Sequence, residues 1–289
     1  MGTPAAEGTP AAEPFGVRLA RLMAERGPVC AGIDPHAGLL QAWGLPDDAA
    51  GLREFSLRTV DALADRVAAF KPQSAFYERH GSAGVAALEE TLAACRQAGV
   101  PAIADVKRGD IGSTMDGYAD AYLSGPLAGD AFTVSPYLGA GSLEPTARRA
   151  AAAGRGLFVL ALTSNPEGPE LQHVGGGQSV AKRVVEAVAE WNRRLTPHDP
   201  GSFGLVVGAT TADAASRLGI DLAAFPGLFL APGVGAQGAG GAELAAVFGA
   251  GLGRVLASAS RSILSKGPTE EGLRRGLALT LEGVESAIR

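Results

Sequence analysis

The amino-acid sequence predicts a (β/α)8 barrel, and three observations carry the prediction. Eight short apolar runs are spaced along 289 residues, amphipathic or helix-compatible segments separate them, and polar residues gather at the C-terminal ends of the runs. Nearly continuous apolar runs are typical of parallel strands buried on both faces. Eight βα units occupy about 250 residues in a closed barrel, whose active site lies at the C-terminal ends of the strands. The alternative arrangement of such units is an open doubly wound sheet.

The runs are PVCAGIDP (28–35), VAAFKPQ (67–73), PAIADVK (101–107), AFTVSP (131–136), GLFVLALTSN (156–165), FGLVVGAT (203–210), GLFLAPGVG (227–235) and RVLASASRS (254–262). Helical period is clear in Leu52–Arg66, Ser82–Ala98, Gln178–Leu195 and Thr269–Ile288, where apolar positions recur every three or four residues between exposed charges. Gly99 and Gly154 stop the segments before the third and fifth runs. The stretch after the sixth run, TADAASRLGI, is a short helix at best. No linker divides the chain. Residues 1–15, with the near-repeat GTPAAE, are expected to form a disordered or loosely packed tail, and residues 16–289 one barrel domain.

Composition removes several classes of function. A net charge of −5 and a pI near 5.5 leave no broad basic field for nucleic acid or an anionic membrane. No apolar run approaches the ~20 residues needed to cross a bilayer. The first residues lack the basic-then-apolar order of a secretory signal. Cys30 and Cys95 lie in apolar settings without a CxxC partner, and they read as reduced packing residues of a cytoplasmic protein.

Seven polar residues stand at strand ends: Asp34, Lys71, Asp105, Lys107, Ser164, Gln237 and Arg261. Each alone has a bland reading. Asp34 before Pro35 suits a turn, Lys71 could snorkel, and Arg261 could pair with a surface carboxylate. Their shared position favours a site. The densest stretch is ADVKRGDI (104–111). Residues i and i+2 of a strand share a face, so Asp105 and Lys107 point together into the barrel mouth, and Asp110 follows a turn at Gly109. A structural ion pair would satisfy the pattern. The functional reading is a lysine kept as ammonium by two carboxylates, unsuited to Schiff-base chemistry, which needs the free amine, but suited to giving a proton and balancing a carbanion.

A second constellation joins PGVGAQG after the seventh run to SASRS in the eighth. The loops after strands 7 and 8 are the usual phosphate site of a barrel. Glycines admit backbone N–H groups to phosphate oxygens, and Arg261 offers a bidentate fork. The GxGxxG match at Gly233–Gly238 lacks the following acidic residue and βαβ context of a dinucleotide site. His36, His80, His173 and His198 show no metal spacing. Asp34, Asp105 and Asp110 could hold Mg²⁺, but Lys107 among them already neutralises the cluster.

Together GIDP, FKPQSAFYE, ADVKRGDIGST, SPYLG, LTSNPE, PGVGAQG and SRSI make the chain, beyond its N-terminal tail, resemble the orotidine 5′-phosphate decarboxylases, in the set common to actinobacteria. The resemblance implies a TIM-barrel homodimer that converts orotidine 5′-phosphate to UMP and CO2, the last step of UMP synthesis, without metal or organic cofactor. It further implies a catalytic array of Lys71, Asp105 and Lys107, with Lys107 the proton donor. Asp110, Ile111 and Thr114 would reach into the neighbouring subunit's site. Asp34 would hold ribose hydroxyls along with Lys71, and Ser164 the pyrimidine edge. Pro232 would lie against the base, and Gln237 and Arg261, with Ser260 beside them, would hold the phosphate. Gln73, where some relatives carry asparagine, would also touch substrate. Mg²⁺-dependent 3-keto-L-gulonate 6-phosphate decarboxylases and hexulose-phosphate synthases share DxKxxD, but as families carry an acidic metal ligand where this chain has Lys71. A non-catalytic phosphosugar-binding barrel is the remaining alternative.

Overall fold

The computed structural model describes residues 13–235 and 239–286. Its strands are β1 (Val29–Ile33), β2 (Ala69–Pro72), β3 (Ile103–Arg108), β4 (Ala131–Val134), β5 (Gly156–Leu162), β6 (Gly201–Val207), β7 (Gly227–Pro232) and β8 (Val255–Ala259). All pair in parallel, in the order β2-β1-β8-β7-β6-β5-β4-β3. Two bridges, Phe70 to Ala102 and Gln73 to Asp105, join β2 to β3 and close the ring. The expected barrel is therefore the observed one. Each predicted run contains a strand, and the four predicted helices appear as Ala49–Leu63, Gly81–Gln97, Val180–Leu195 and Glu270–Glu285. After β6 only the single turn Ala214–Arg217 is helical.

Period-two alternation divides the core in two. Outward residues such as Val29, Phe70, Phe132, Phe203 and Phe229 pack against the surrounding helices. Inward residues form a separate cluster: Cys30, Ala69, Ile103, Ala131, Phe158, Val206, Leu228, Leu230 and Leu256. Burial pushes the thiols of Cys30 and Cys95 up to about 12, as befits packing residues. Gly204 makes room for the Phe158 ring in the lumen, since a Cβ there would fall 2.3 Å from Phe158 Cε1.

The lower end of this lumen is closed by a helix at Phe15–Arg26, whose Phe15, Leu19, Leu22 and Met23 join the inward cluster. Phe15 is 1% exposed and meets Phe158 edge-on at 6.0 Å. The expected tail is thus shortened: Phe15 belongs to the barrel, held there by burial of its ring. The remainder of the expected tail, residues 1–12, lies outside the described residues.

Candidate active site

Going up the lumen, side chains change from apolar to polar. Cys30 is succeeded by Gly32 and Asp34, Ala69 by Lys71 and Gln73, Ile103 by Asp105, Ala131 by Thr133, and Leu256 by Ser258 and Ser260. The strands of a barrel share one direction, so the C-terminal end of every run contributes to one ring. A cavity of about 610 Å³ opens there, within the range of small-molecule sites. Its floor is Leu160, Val206 and Leu230, and its walls carry Asp34, Lys71, Gln73, Asp105, Lys107, Ser164, Pro232, Ser260 and Arg261.

At its centre a single carboxylate is held between two ammonium groups. Asp105, 5% exposed, accepts from Lys71 Nζ at 2.7 Å on Oδ2 and from Lys107 Nζ at 2.5 Å on Oδ1. Burial by itself would raise the Asp105 carboxyl, but Lys71 and Lys107 outweigh it and hold the group below the usual carboxylate range. Burial likewise opposes charge on Lys71, and Asp105 and Asp34 outweigh it to hold the amine above the ordinary lysine range. Lys71 is enclosed, whereas Lys107 keeps 46% of its side-chain surface open toward the cavity, with Gln73 Oε1 3.4 Å from its Nζ.

Simple alternation placed Asp105 and Lys107 together, and they do meet, but the backbone reaches that result by another route. Between the pairings Ala104–Phe132 and Arg108–Val134, β3 takes four residue steps where β4 takes two. Within this bulge Lys107 has φ 45°, a left-handed conformation that costs a non-glycine residue of order 1 kcal/mol or more. Such strain in a bulge re-aims a side chain.

The second expected carboxylate is elsewhere. Asp110 Oδ1 accepts from the Ile111 amide, and Asp110 is not in this cavity. Among the described residues, the carboxylate paired with Lys107 is therefore that of Asp105. Ile111 and Thr114 are exposed and do not line the cavity either. Ile111 is 61% exposed, and on the adjoining loop after β4 Tyr137 and Leu138 are 74% and 52% exposed.

At the opposite wall, Arg261 and Ser260 follow β8, and Gly233 and Val234 follow β7. Positive φ at Gly233 (99°) and Gly235 (78°) turns the chain where Gly233 and Val234 line the cavity. Gln237 lies outside the described residues. Two buried polar atoms in this cavity, Asp34 Oδ1 and Ser260 Oγ, have no hydrogen-bond partner among the described residues and are free to bond a ligand. Several lining residues were not singled out from the sequence. His36 stacks edge-on to Phe76 at 4.2 Å. Gln172 bonds both Thr163 N and Thr163 Oγ1 and so braces the loop that carries Ser164. Thr133, one of two hydroxyl residues in the run AFTVSP, bonds Asp105. Its inward parity was legible, while Gln172 gave no local signal.

Among the described residues, no group of three or more His, Cys, Asp or Glu side chains could hold a metal ion, and no helix is long and apolar enough to cross a membrane. Asp105 spends both oxygens on lysines.

A charge array at the mouth of a (β/α)8 barrel, opposite an arginine and a glycine-rich turn, defines a barrel enzyme built for a small phosphorylated substrate. Residues 27–275 match the family model described as orotidine 5′-phosphate decarboxylase / HUMPS family. The chain belongs to that family. It is 56% identical over 267 residues to the orotidine 5′-phosphate decarboxylase of Streptomyces coelicolor, covering 91% of this chain and 94% of that one. It is 53% identical over 280 residues to that of Salinispora arenicola, covering 96% and 99%. A crystal structure from Streptomyces avermitilis superposes with TM-score 0.90 at 51% identity over 99% of both chains. The OMP decarboxylase of Leishmania donovani superposes with TM-score 0.75 at 31% identity, over 95% of this chain and 98% of that one.

Proposed function

We propose that the chain is a carboxy-lyase that converts orotidine 5′-phosphate to UMP and CO2, the final step of pyrimidine nucleotide synthesis, and that it acts as a cytoplasmic homodimer. The observation that carries the reading is Asp105 clasped between Lys71 and Lys107 above an apolar floor. Breaking the C6–carboxylate bond leaves its electron pair on C6 with little delocalisation. An ammonium beside that carbon stabilises the charge in a site that excludes water. Lys107 then gives C6 its proton and recovers one from solvent. Lys71 and Asp105 hold that ammonium in place before the substrate arrives.

The substrate roles are those the family resemblance implies, and the cavity lining supports them for every residue but Gln237, which lies outside the described residues. Arg261, Ser260 and the loop after β7, including Gln237, hold the phosphate. Asp34 and Lys71 hold the ribose hydroxyls, while Ser164, Pro232 and Gln73 border the base. The phosphate lies far from the reacting carbon, so its binding energy serves to orient the base, and a truncated substrate is expected to lose kcat as well as affinity. Reading the chain as a Mg²⁺-dependent relative requires a cation next to Lys71, whose ammonium repels it. The test is the ultraviolet absorbance change of orotidine 5′-phosphate with purified protein in EDTA. Rapid conversion is expected. Conversion only after Mg²⁺ is added would favour the metal-dependent relatives, and tight UMP binding without turnover a binding-only barrel.

The dimer reading is supported by Asp110, Ile111 and Thr114, which do not line their own cavity, and by the exposure of Ile111, Tyr137 and Leu138 on the loops after β3 and β4. An exposed apolar group of this kind suits a subunit interface. If the site is shared, Lys107→Ala and Asp110→Asn proteins, each impaired alone, regain activity when mixed. The heterodimer then holds one site with both native residues. Isolated heterodimers without any recovery would overturn the shared site.

A further inference from the structure

Thr133 lies on the inward face of β4 and is 1% exposed. Its Oγ1 makes three contacts. It donates to Asp105 Oδ1 at 2.9 Å and accepts from the Val106 amide at 3.0 Å and the Lys107 amide at 2.9 Å. A hydroxyl has one hydrogen and two lone pairs. Both lone pairs are committed to amides, so the hydrogen is directed to Asp105, and nothing remains for a substrate although Thr133 borders the cavity.

The two amides belong to the bulge in β3, where the ladder with β4 is interrupted. Buried amides without an acceptor are costly, and here one side-chain oxygen replaces the missing ladder carbonyls. Lys107 bears the φ of 45°, and the ammonium at its end reaches Asp105 Oδ1, the same oxygen that Thr133 touches. One hydroxyl thus grips the backbone that aims the ammonium and the carboxylate that receives it.

We propose that Thr133 is a positioning residue for the decarboxylation, holding Lys107 in its strained backbone conformation and Asp105 in the orientation that faces it. This rests on the decarboxylase reading above. A misplacement of about 1 Å in a reacting group can cost roughly 100-fold.

The experiment compares Thr133→Val, which keeps the shape and loses the hydroxyl, with Thr133→Ser, which keeps the hydroxyl. For Thr133→Val, kcat is expected to fall roughly 100-fold while UMP affinity stays within about threefold. Thr133→Ser is expected to remain within about threefold of the parent in both. Thr59→Val is the control for stability alone, because Thr59 is also fully buried and its hydroxyl bonds Phe55 O far from the cavity. It is expected to leave kcat unchanged.

A Thr133→Val enzyme with parental kcat overturns the proposal. So does a serine variant as impaired as the valine one, or a loss of UMP affinity equal to the loss of kcat. Should the valine protein fail to fold, Thr133→Cys takes its place, and parental kcat there has the same meaning. A crystal structure of the variant reads the proposal independently of activity. Lys107 is expected to leave its left-handed conformation, and unchanged Lys107 and Asp105 would refute the role even if the parent proved inactive on orotidine 5′-phosphate, an outcome that would count against the decarboxylase reading instead.

Discussion

Replacing Lys107 by alanine is expected to lower kcat on orotidine 5′-phosphate by roughly 10⁴–10⁶-fold, because one side chain supplies both the charge opposite the carbanion and the proton that quenches it. UMP affinity should change by no more than a few-fold, since Arg261, Ser260 and Asp34 stand on other strands. Lys107→Arg separates the two contributions. A guanidinium keeps the positive charge but does not give up its proton, so turnover should stay low. Steady-state kinetics with calorimetric titration of UMP checks both variants. An alanine enzyme with appreciable turnover would remove Lys107 from the chemistry.

Asp105→Asn is the second large effect, and it acts on stability as well as rate. Lys71 and Asp105 each have only 8% of their side-chain surface exposed. Without the carboxylate, a buried ammonium faces an amide and repels its neighbour Lys107. Breaking a buried pair from one side costs about 3–5 kcal/mol. Catalysis should fall by roughly 10³-fold, the scale of losing a preorganised electrostatic group.

The pH dependence of the parent follows from the same pair. Asp105 is held below the usual carboxylate range, so its stabilising contribution is complete above the unfolded value and is lost only as pH falls through the lower folded one. Lys71 is held above the lysine range, so its contribution is complete below the unfolded value and is lost as pH rises through the higher folded one. Between about pH 5 and pH 10 the pair should add nothing to the slope of stability. Thermal unfolding of parent and Asp105→Asn across that interval tests this. Equal Tm values would mean that the pair contributes no net stability.

Much of the site was legible because a strand has a period of two. Cys30, Gly32 and Asp34 share a parity, as do Ala69, Lys71 and Gln73, and a polar residue at the upper end of such a series has only the barrel mouth to face. Thr133 follows the same rule one layer lower. The helix Phe15–Arg26 was missed although Phe15, Leu19, Leu22 and Met23 recur at helical spacing, because it precedes the first βα unit and the repeat gives no place for it. Parity gave no such guide to Asp110. Alternation stops at the end of a strand, and β3 ends at Arg108, two residues before this carboxylate.

The sequence by itself determined the barrel, its strand ends and the residue types that collect there, since burial on both faces and a common strand direction are properties of local pattern. Only the tertiary structure decided that one aspartate serves two lysines, that Lys107 is aimed by a bulge, and that Thr133 secures it. Those facts depend on which residues of β2, β3 and β4 lie side by side. Register between neighbouring strands is set by packing across the sheet, and a chain read along its own length does not contain it.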